Sequence, residues 1–163
     1  MSESVTIEAD QYLTFKLEDE IFALGIDKVR EVLEFNRVTK VPQTPDMMRG
    51  VINLRGSVVP VIDLKLKFGM GETQKSVNTC VIIVELDLDG ENTLIGALAD
   101  SVQEVIDLEE SQIEPAPKIG TRLNNELIRG MGKRNEEFII ILEIEKVFTL
   151  SELEMLQNAA EKV

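Results

Sequence analysis

The strongest constraint on how this chain folds is that its second half repeats its first, part for part. Asp27-Lys28-Val29-Arg30-Glu31-Val32-Leu33 and Asp100-Ser101-Val102-Gln103-Glu104-Val105-Ile106 share the pattern D-x-V-x-E-V followed by an aliphatic residue. Each copy follows an apolar strand pattern that itself follows an acidic turn. Each precedes a proline pair, Pro42 and Pro45 in one half and Pro115 and Pro117 in the other. Further on, Arg49-Gly50 aligns with Arg129-Gly130, and without gaps Asp63 meets Glu143 and Phe68 meets Phe148. Recurrence in this order predicts two copies of one supersecondary unit, at about 12–68 and 79–148. Short strands with frequent turns favour small antiparallel barrels, so an all-β chain (mainly β with short helices) is expected.

The most distinctive stretch of the first unit is Arg49 to Leu64, R-G-V-I-N-L-R-G-S-V-V-P-V-I-D-L. Two apolar runs flank Arg55-Gly56, which predicts a tight hairpin, because Gly56 can adopt the positive φ such a bend needs. Arg55 then stands at the bend, a cation on an otherwise apolar ribbon. Pro60 cannot donate a ladder hydrogen bond and places its strand at an edge or a bulge. The second unit has Asn135-Glu136 at the equivalent bend. A fold that manages one hairpin without Arg tilts Arg55 towards a specific role.

Elsewhere, alternation predicts strands from Gln11 to Leu17 and from Ile21 to Ile26, around the turn Glu18-Asp19-Glu20. Asp27 could cap a helical turn carrying Val29, Val32 and Leu33, or a strand could continue through Val29, Glu31 and Leu33; both readings stay open. Val38, Thr39 and Val41 suggest a short strand, and Pro45 to Met48 a helical turn closed by Gly50. Asp63 starts a helical piece reaching Phe68, and Gly69 to Asn78 is a polar connector. Strands are expected at Thr79–Leu86, Thr93–Ala99, Val102–Leu108, Leu127–Met131 and Phe138–Ile144, with 119–125 as loop. Ser151 and Glu154 form an S-x-x-E capping box, and Leu153, Leu156, Ala160 and Val163 give the final helix an apolar stripe.

Composition closes many routes to function. The chain has no histidine, so His-based metal sites and Ser-His or Cys-His nucleophile pairs are excluded. A net charge of −13 repels phosphate backbones and anionic lipid, which leaves basic protein surfaces as partners. No apolar run approaches the roughly 20 residues that span a bilayer. Cys80 is the only cysteine and lies in an apolar strand pattern, so no internal disulfide forms and a cytosolic setting is expected.

These motifs together resemble the CheW-type coupling proteins of bacterial chemotaxis. The resemblance runs from about Tyr12 to the final helix. It is carried by K-V-R-E-V at Lys28 to Val32, the stretch from Arg49 to Leu64, S-V-Q-E-V-I-D-L at Ser101 to Leu108, I-E-P-A-P at Ile113 to Pro117, and I-E-K-V at Ile144 to Val147. It implies two SH3-like five-stranded β-barrels around a shared core, intertwined in a way the residues do not themselves reveal, plus a C-terminal α-helix. The expected layout is a flexible acidic N-terminus at 1–10, a CheW-like domain at 11–150 and the helix at 151–163. The resemblance further implies a non-enzymatic adaptor between chemoreceptor cytoplasmic tips and the regulatory domain of the histidine kinase CheA. It would need no cofactor or metal, be monomeric when free, and be recruited from the cytoplasm to receptor arrays.

Carried over position by position, Val29, Glu31, Gly50 and Arg55 match a receptor-binding groove, and Ile26 matches a kinase contact. As plain surface chemistry, Glu31 and Arg55 would be solvated charges worth about 0–1 kcal/mol if paired. Val29 and Ile26 could equally be core, and Gly50 most simply serves the backbone. Two other readings compete with this one. An acidic β-barrel hydrolase would use Asp63, Glu104 or Glu143. A stand-alone CheA regulatory domain, or a CheV-like adaptor without its receiver, would share the fold; the chain leaves no room for a receiver after its last helix.

Overall fold

The computed structural model describes residues 10–88, 90–115 and 127–161. As expected the fold is mainly β. Among the described residues eleven strands form in chain order: β1 (Asp10–Leu17), β2 (Glu20–Gly25), β3 (Val29–Glu34), β4 (Met48–Leu54), β5 (Ser57–Asp63), β6 (Cys80–Leu88), β7 (Glu91–Ala99), β8 (Ser101–Leu108), β9 (Ile113–Glu114), β10 (Ile128–Arg134) and β11 (Glu137–Leu142), joined there by three α-helices, α1 (Leu64–Lys67), α2 (Ile144–Val147) and α3 (Leu150–Glu161). Among the described residues no helix is long and apolar enough to cross a membrane.

The strands form two sheets, one ordered β3-β6-β7-β5-β4 and the other β8-β1-β2-β11-β10-β9. The five strands expected of each unit hold in the first; the second adds the two-residue β9 at its edge. Each sheet takes one hairpin from the other half of the chain. β6-β7 enters the first sheet through a parallel pairing of β7 with β5, and β1-β2 enters the second through β2 with β11. The two sequence units therefore do not map one onto each sheet. The halves are interlocked, which is the intertwining the resemblance implied.

Burial follows from this exchange. One apolar cluster lies inside each sheet, and the largest lies between them, joined by α1, α2 and α3. Phe15, Phe22 and Phe68 stack through the central cluster at centroid distances of 5.9 and 6.1 Å. Lys65, almost wholly buried on α1, reaches Asp100 at 3.4 Å and Glu18 at 3.6 Å, tying the turns of the two units together.

Of the two open readings of Val29 to Leu33 the strand holds; only Ile26–Lys28 is helical, a 3-10 turn without a side-chain cap from Asp27. The strand wins because β3 pairs with β6: Glu31 and Leu33 are half-buried on the face of that sheet's own cluster, and Val29, before the bulge, on the face of the central one. Several other local expectations are corrected. The strand expected at 38–41 reduces to one bridge, Thr39 with Val51, since the prolines leave too little chain to extend it. Pro45 to Met48 is a turn closed by the Met48 N–H on the Pro45 carbonyl at 2.9 Å, and Met48 already begins β4. β11 stops at Leu142, and Ile144 is helical. The helix α3 is capped two residues earlier than predicted: Thr149 Oγ1 accepts the Glu152 N–H at 3.1 Å, and Glu152 returns a bond to the Thr149 N–H at 2.8 Å. T-L-S-E satisfies the same capping pattern as Ser151 to Glu154, and Lys67 decides between them by holding Glu152 at 2.6 Å. The expected loop at 119–125, together with Pro117 and Val163, lies outside the described residues.

Candidate functional site

The bend between β4 and β5 is built as its sequence dictates. Arg55 has φ 50 and Gly56 φ 88, so both central residues are left-handed, as a two-residue hairpin requires. Asn53 braces the bend, its Oδ1 accepting the Gly56 N–H at 2.9 Å. Gly56 takes this conformation without cost, whereas Arg55 carries a penalty of about 1 kcal/mol or more. Its guanidinium is thereby lifted clear of the ribbon.

The partner comes from β3. The pairing of β3 with β6 slips between Val29 and Glu31, a bulge that re-aims the side chain beyond it. Arg30 is turned out to Glu85 at 3.0 Å, and Glu31 is turned towards the hairpin bend. Arg55 then donates two bonds to Glu31, Nη1 to Oε2 at 2.7 Å and Nη2 to Oε1 at 3.2 Å. Because β3 and β4 are the two outer strands of this sheet, the pair clasps its seam. The bonds from Arg55 hold the Glu31 carboxyl below the ordinary glutamate range and raise the Arg55 guanidinium in turn. Glu31 is mostly covered and Arg55 is 75% exposed, so the acid positions a cation that faces outward.

The other expected residues fall in different places. Val29 precedes the bulge, so it faces the opposite side of β3 from Glu31 and is half-buried against the central cluster. Ile26 lies in the 3-10 turn ahead of it and packs on the same cluster. Both combine core contact with partial exposure. Gly50 stands apart, five residues before Arg55, roughly 16 Å along an extended strand. It has φ 148, and a Cβ there would drive into the Thr39 carbonyl. Its role is the close approach of the Thr39 segment rather than a helix C-cap. Val32 and Val58, 39% and 38% exposed, add apolar surface next to Glu31 and just after the bend.

Residues 11–152 match the family described as the CheW-like domain. The chain belongs to the CheW family. It is 35% identical over 150 residues to the Chemotaxis protein CheW of Klebsiella aerogenes, covering 92% of this chain and 88% of that one. To the Chemotaxis protein CheW of Helicobacter pylori it is 33% identical over 140 residues, covering 86% and 82%. The crystal structure of the scaffolding protein TtCheW from Thermoanaerobacter tengcongensis superposes with a TM-score of 0.79 at 35% identity, covering 93% of this chain and 96% of that one.

Within this CheW fold the second unit was expected to lack an arginine at its hairpin, and the structure qualifies that. The bend is Asn135-Glu136, at φ 52 and 67, but the preceding Arg134 donates to Glu104 at 2.7 Å. Glu104 is the repeat partner of Glu31, so both CheW units carry a Glu–Arg clasp, with the arginine one position earlier in the second. A strict residue-for-residue alignment hid this. What sets Arg55 apart is its place at the bend itself.

The carboxylates proposed for hydrolysis do not converge. Asp63 is fully buried at the end of β5, where it bonds Arg49 Nη1 (3.1 Å), the Thr73 N–H (2.8 Å), Thr73 Oγ1 (2.6 Å) and the Lys65 N–H (3.1 Å). It caps α1, as its position suggested, while Glu143 heads α2 without a side-chain cap bond. Glu104 lies in the other sheet, paired to Arg134. Among the described residues no group of three or more acidic or cysteine side chains is placed to hold a metal ion.

Proposed function

We propose that this CheW-family chain is a non-catalytic adaptor that couples chemoreceptor cytoplasmic tips to the regulatory domain of CheA, that it is a monomer when free, and that it is recruited from the cytoplasm to receptor arrays. The observation that carries the receptor half is the Arg55–Glu31 clasp. An exposed arginine is held bidentate, at a backbone cost, by Glu31 of a strand whose other face carries half-buried Val29 and exposed Val32. Arginine in such surroundings is the residue type that anchors protein interfaces. Gly50 acts on this groove indirectly, through the segment it seats. Ile26, at the 3-10 turn, would serve a kinase-facing surface, and its partial exposure supports that assignment.

The test is a pair of calorimetric titrations of the full chain, one with a receptor cytoplasmic tip and one with the CheA regulatory domain. Saturable binding to both is expected, with Arg55→Ala weakening only the first and Ile26→Asp only the second. Failure to bind the kinase domain, or equal loss of both partners with either variant, would overturn the assignment.

A further inference from the structure

The two barrels differ at their mouths, beside the two clasps. In the first, the positions next to Glu31–Arg55 are Leu54 and Ile83, both packed into that sheet's apolar cluster. The repeat places Arg134 where the first unit has Leu54. It also sets Thr14 beside Glu104, as Ile83 stands beside Glu31. Two aliphatic plugs have thus become polar, and Glu137 replaces Ser57. The second mouth is consequently open, a cavity of about 260 Å³. Its floor is Ile21, Ile106 and Ile139, and its rim carries Gln103, Glu104, Arg134 and Glu137.

The polar groups are not equally available. The Thr14 hydroxyl donates to the Glu104 carbonyl at 2.8 Å and accepts the Glu104 N–H at 3.1 Å, so it is spent on the strand irregularity between β1 and β8. Arg134 engages one oxygen of Glu104. Glu137 has no ion-pair partner among the described residues. An apolar floor under a rim with more carboxylate than cation suits a side chain with an alkyl stem and a positive head. A purely apolar occupant would desolvate both carboxylates and leave Glu137 unpaired. An anion, or a second copy of a chain with net charge −13, would be repelled.

We infer that the mouth of the second barrel is a socket for a lysine or arginine side chain presented by a partner protein. The stem lies on Ile21, Ile106 and Ile139, and the cation meets Glu137 and the outer oxygen of Glu104. This site is separate from the Arg55 clasp and does not depend on its function.

The test uses the full chain with labelled isoleucine methyl groups, titrated by NMR with a blocked pentapeptide carrying one central arginine between glycines. A lysine peptide and an uncharged norleucine peptide run in parallel. Saturable shifts at Ile21, Ile106 and Ile139 are expected at roughly millimolar concentration with the two cationic peptides only. The double variant Glu104→Gln/Glu137→Gln, whose side chains are exposed, should keep its spectrum dispersed while affinity falls roughly tenfold or more. Arg55→Ala should bind as the parent does. No saturable shift, equal shifts with norleucine, or binding unchanged in the double variant would each overturn the proposal.

Discussion

Glu31 and Arg55, 24 residues apart, meet through two hydrogen bonds of 2.7 and 3.2 Å that join one outer strand of the first sheet, β3, to the bend that ends the other, β4. The bond is short, yet the arginine is 75% exposed, and an exposed ion pair contributes little to stability. Arg55 also sits at φ 50, where the second unit uses Asn135 at φ 52. Asparagine tolerates that conformation better than arginine does.

Arg55→Asn is therefore expected to leave the melting temperature unchanged or raise it slightly, because relief of backbone strain offsets the lost pair. Binding to a receptor tip should weaken by about 2 kcal/mol or more, as at an interface hot spot. Thermal denaturation and calorimetry on one preparation check both halves. A collapsed fold with intact affinity would make Arg55 structural.

The same pair sets a pH dependence. Glu31 titrates below its ordinary value because Arg55 bonds its charged form, so the clasp is complete above the usual glutamate range and is lost as pH falls through the lowered value. Receptor affinity should hold from neutrality down through the ordinary glutamate range and drop only as pH falls through the lowered value. Glu31→Gln should flatten that profile.

Gly50 tests a different link. Any side chain at φ 148 is strained, and a Cβ would strike the Thr39 carbonyl. Gly50→Ala should cost of order 1–3 kcal/mol. Hydrogen exchange should show the loss first at Thr39 and Val51, whose amides bond each other's carbonyls at 2.9 and 2.8 Å.

Much of this was legible in the residues, and the failures have physical causes. Strands with clean alternation, such as β1, announced themselves, as did the bend at Arg55-Gly56. D-x-V-x-E-V-L fits both a helical and an alternating pattern, so only the pairing of β3 with β6 could decide it. The exchange of hairpins depends on the parallel contacts of β5 with β7 and of β2 with β11, which join distant residues and leave no local mark. The second clasp was missed because Arg134 precedes its bend, where Arg55 is part of one.

Asp63 and Glu143 occupy equivalent repeat positions but carry different loads. Asp63 is fully buried, its charge met by Arg49 and its remaining bonds by Thr73 and the Lys65 N–H. Asp63→Ala leaves Arg49 facing an empty site and should cost about 3–5 kcal/mol in urea unfolding. Glu143→Ala removes no cap bond and should stay within about 0.5 kcal/mol. Equal effects would mean that the network around Asp63 contributes nothing specific.

The start of α3 offers a comparison between two overlapping capping boxes. Burial alone would push the Glu152 carboxyl up, but bonds from Lys67 and Thr149 outweigh it and hold the group below the ordinary glutamate range. Its contribution is thus present at neutral pH and lost as pH falls through the lowered value. Leu153, Leu156, Ala159 and Ala160 are the buried side chains by which α3 seats on the body, so loosening its first turn should expose that stripe. Thr149→Ala should cost about 1 kcal/mol, the ordinary worth of an N-cap, while Ser151→Ala should be near neutral. Helix signal by circular dichroism, followed from pH 7 to 3, should fall earlier in Lys67→Met than in the parent. The reverse order for the Thr149 and Ser151 variants would show that the helix starts two residues later, where Ser151 and Glu154 would cap it.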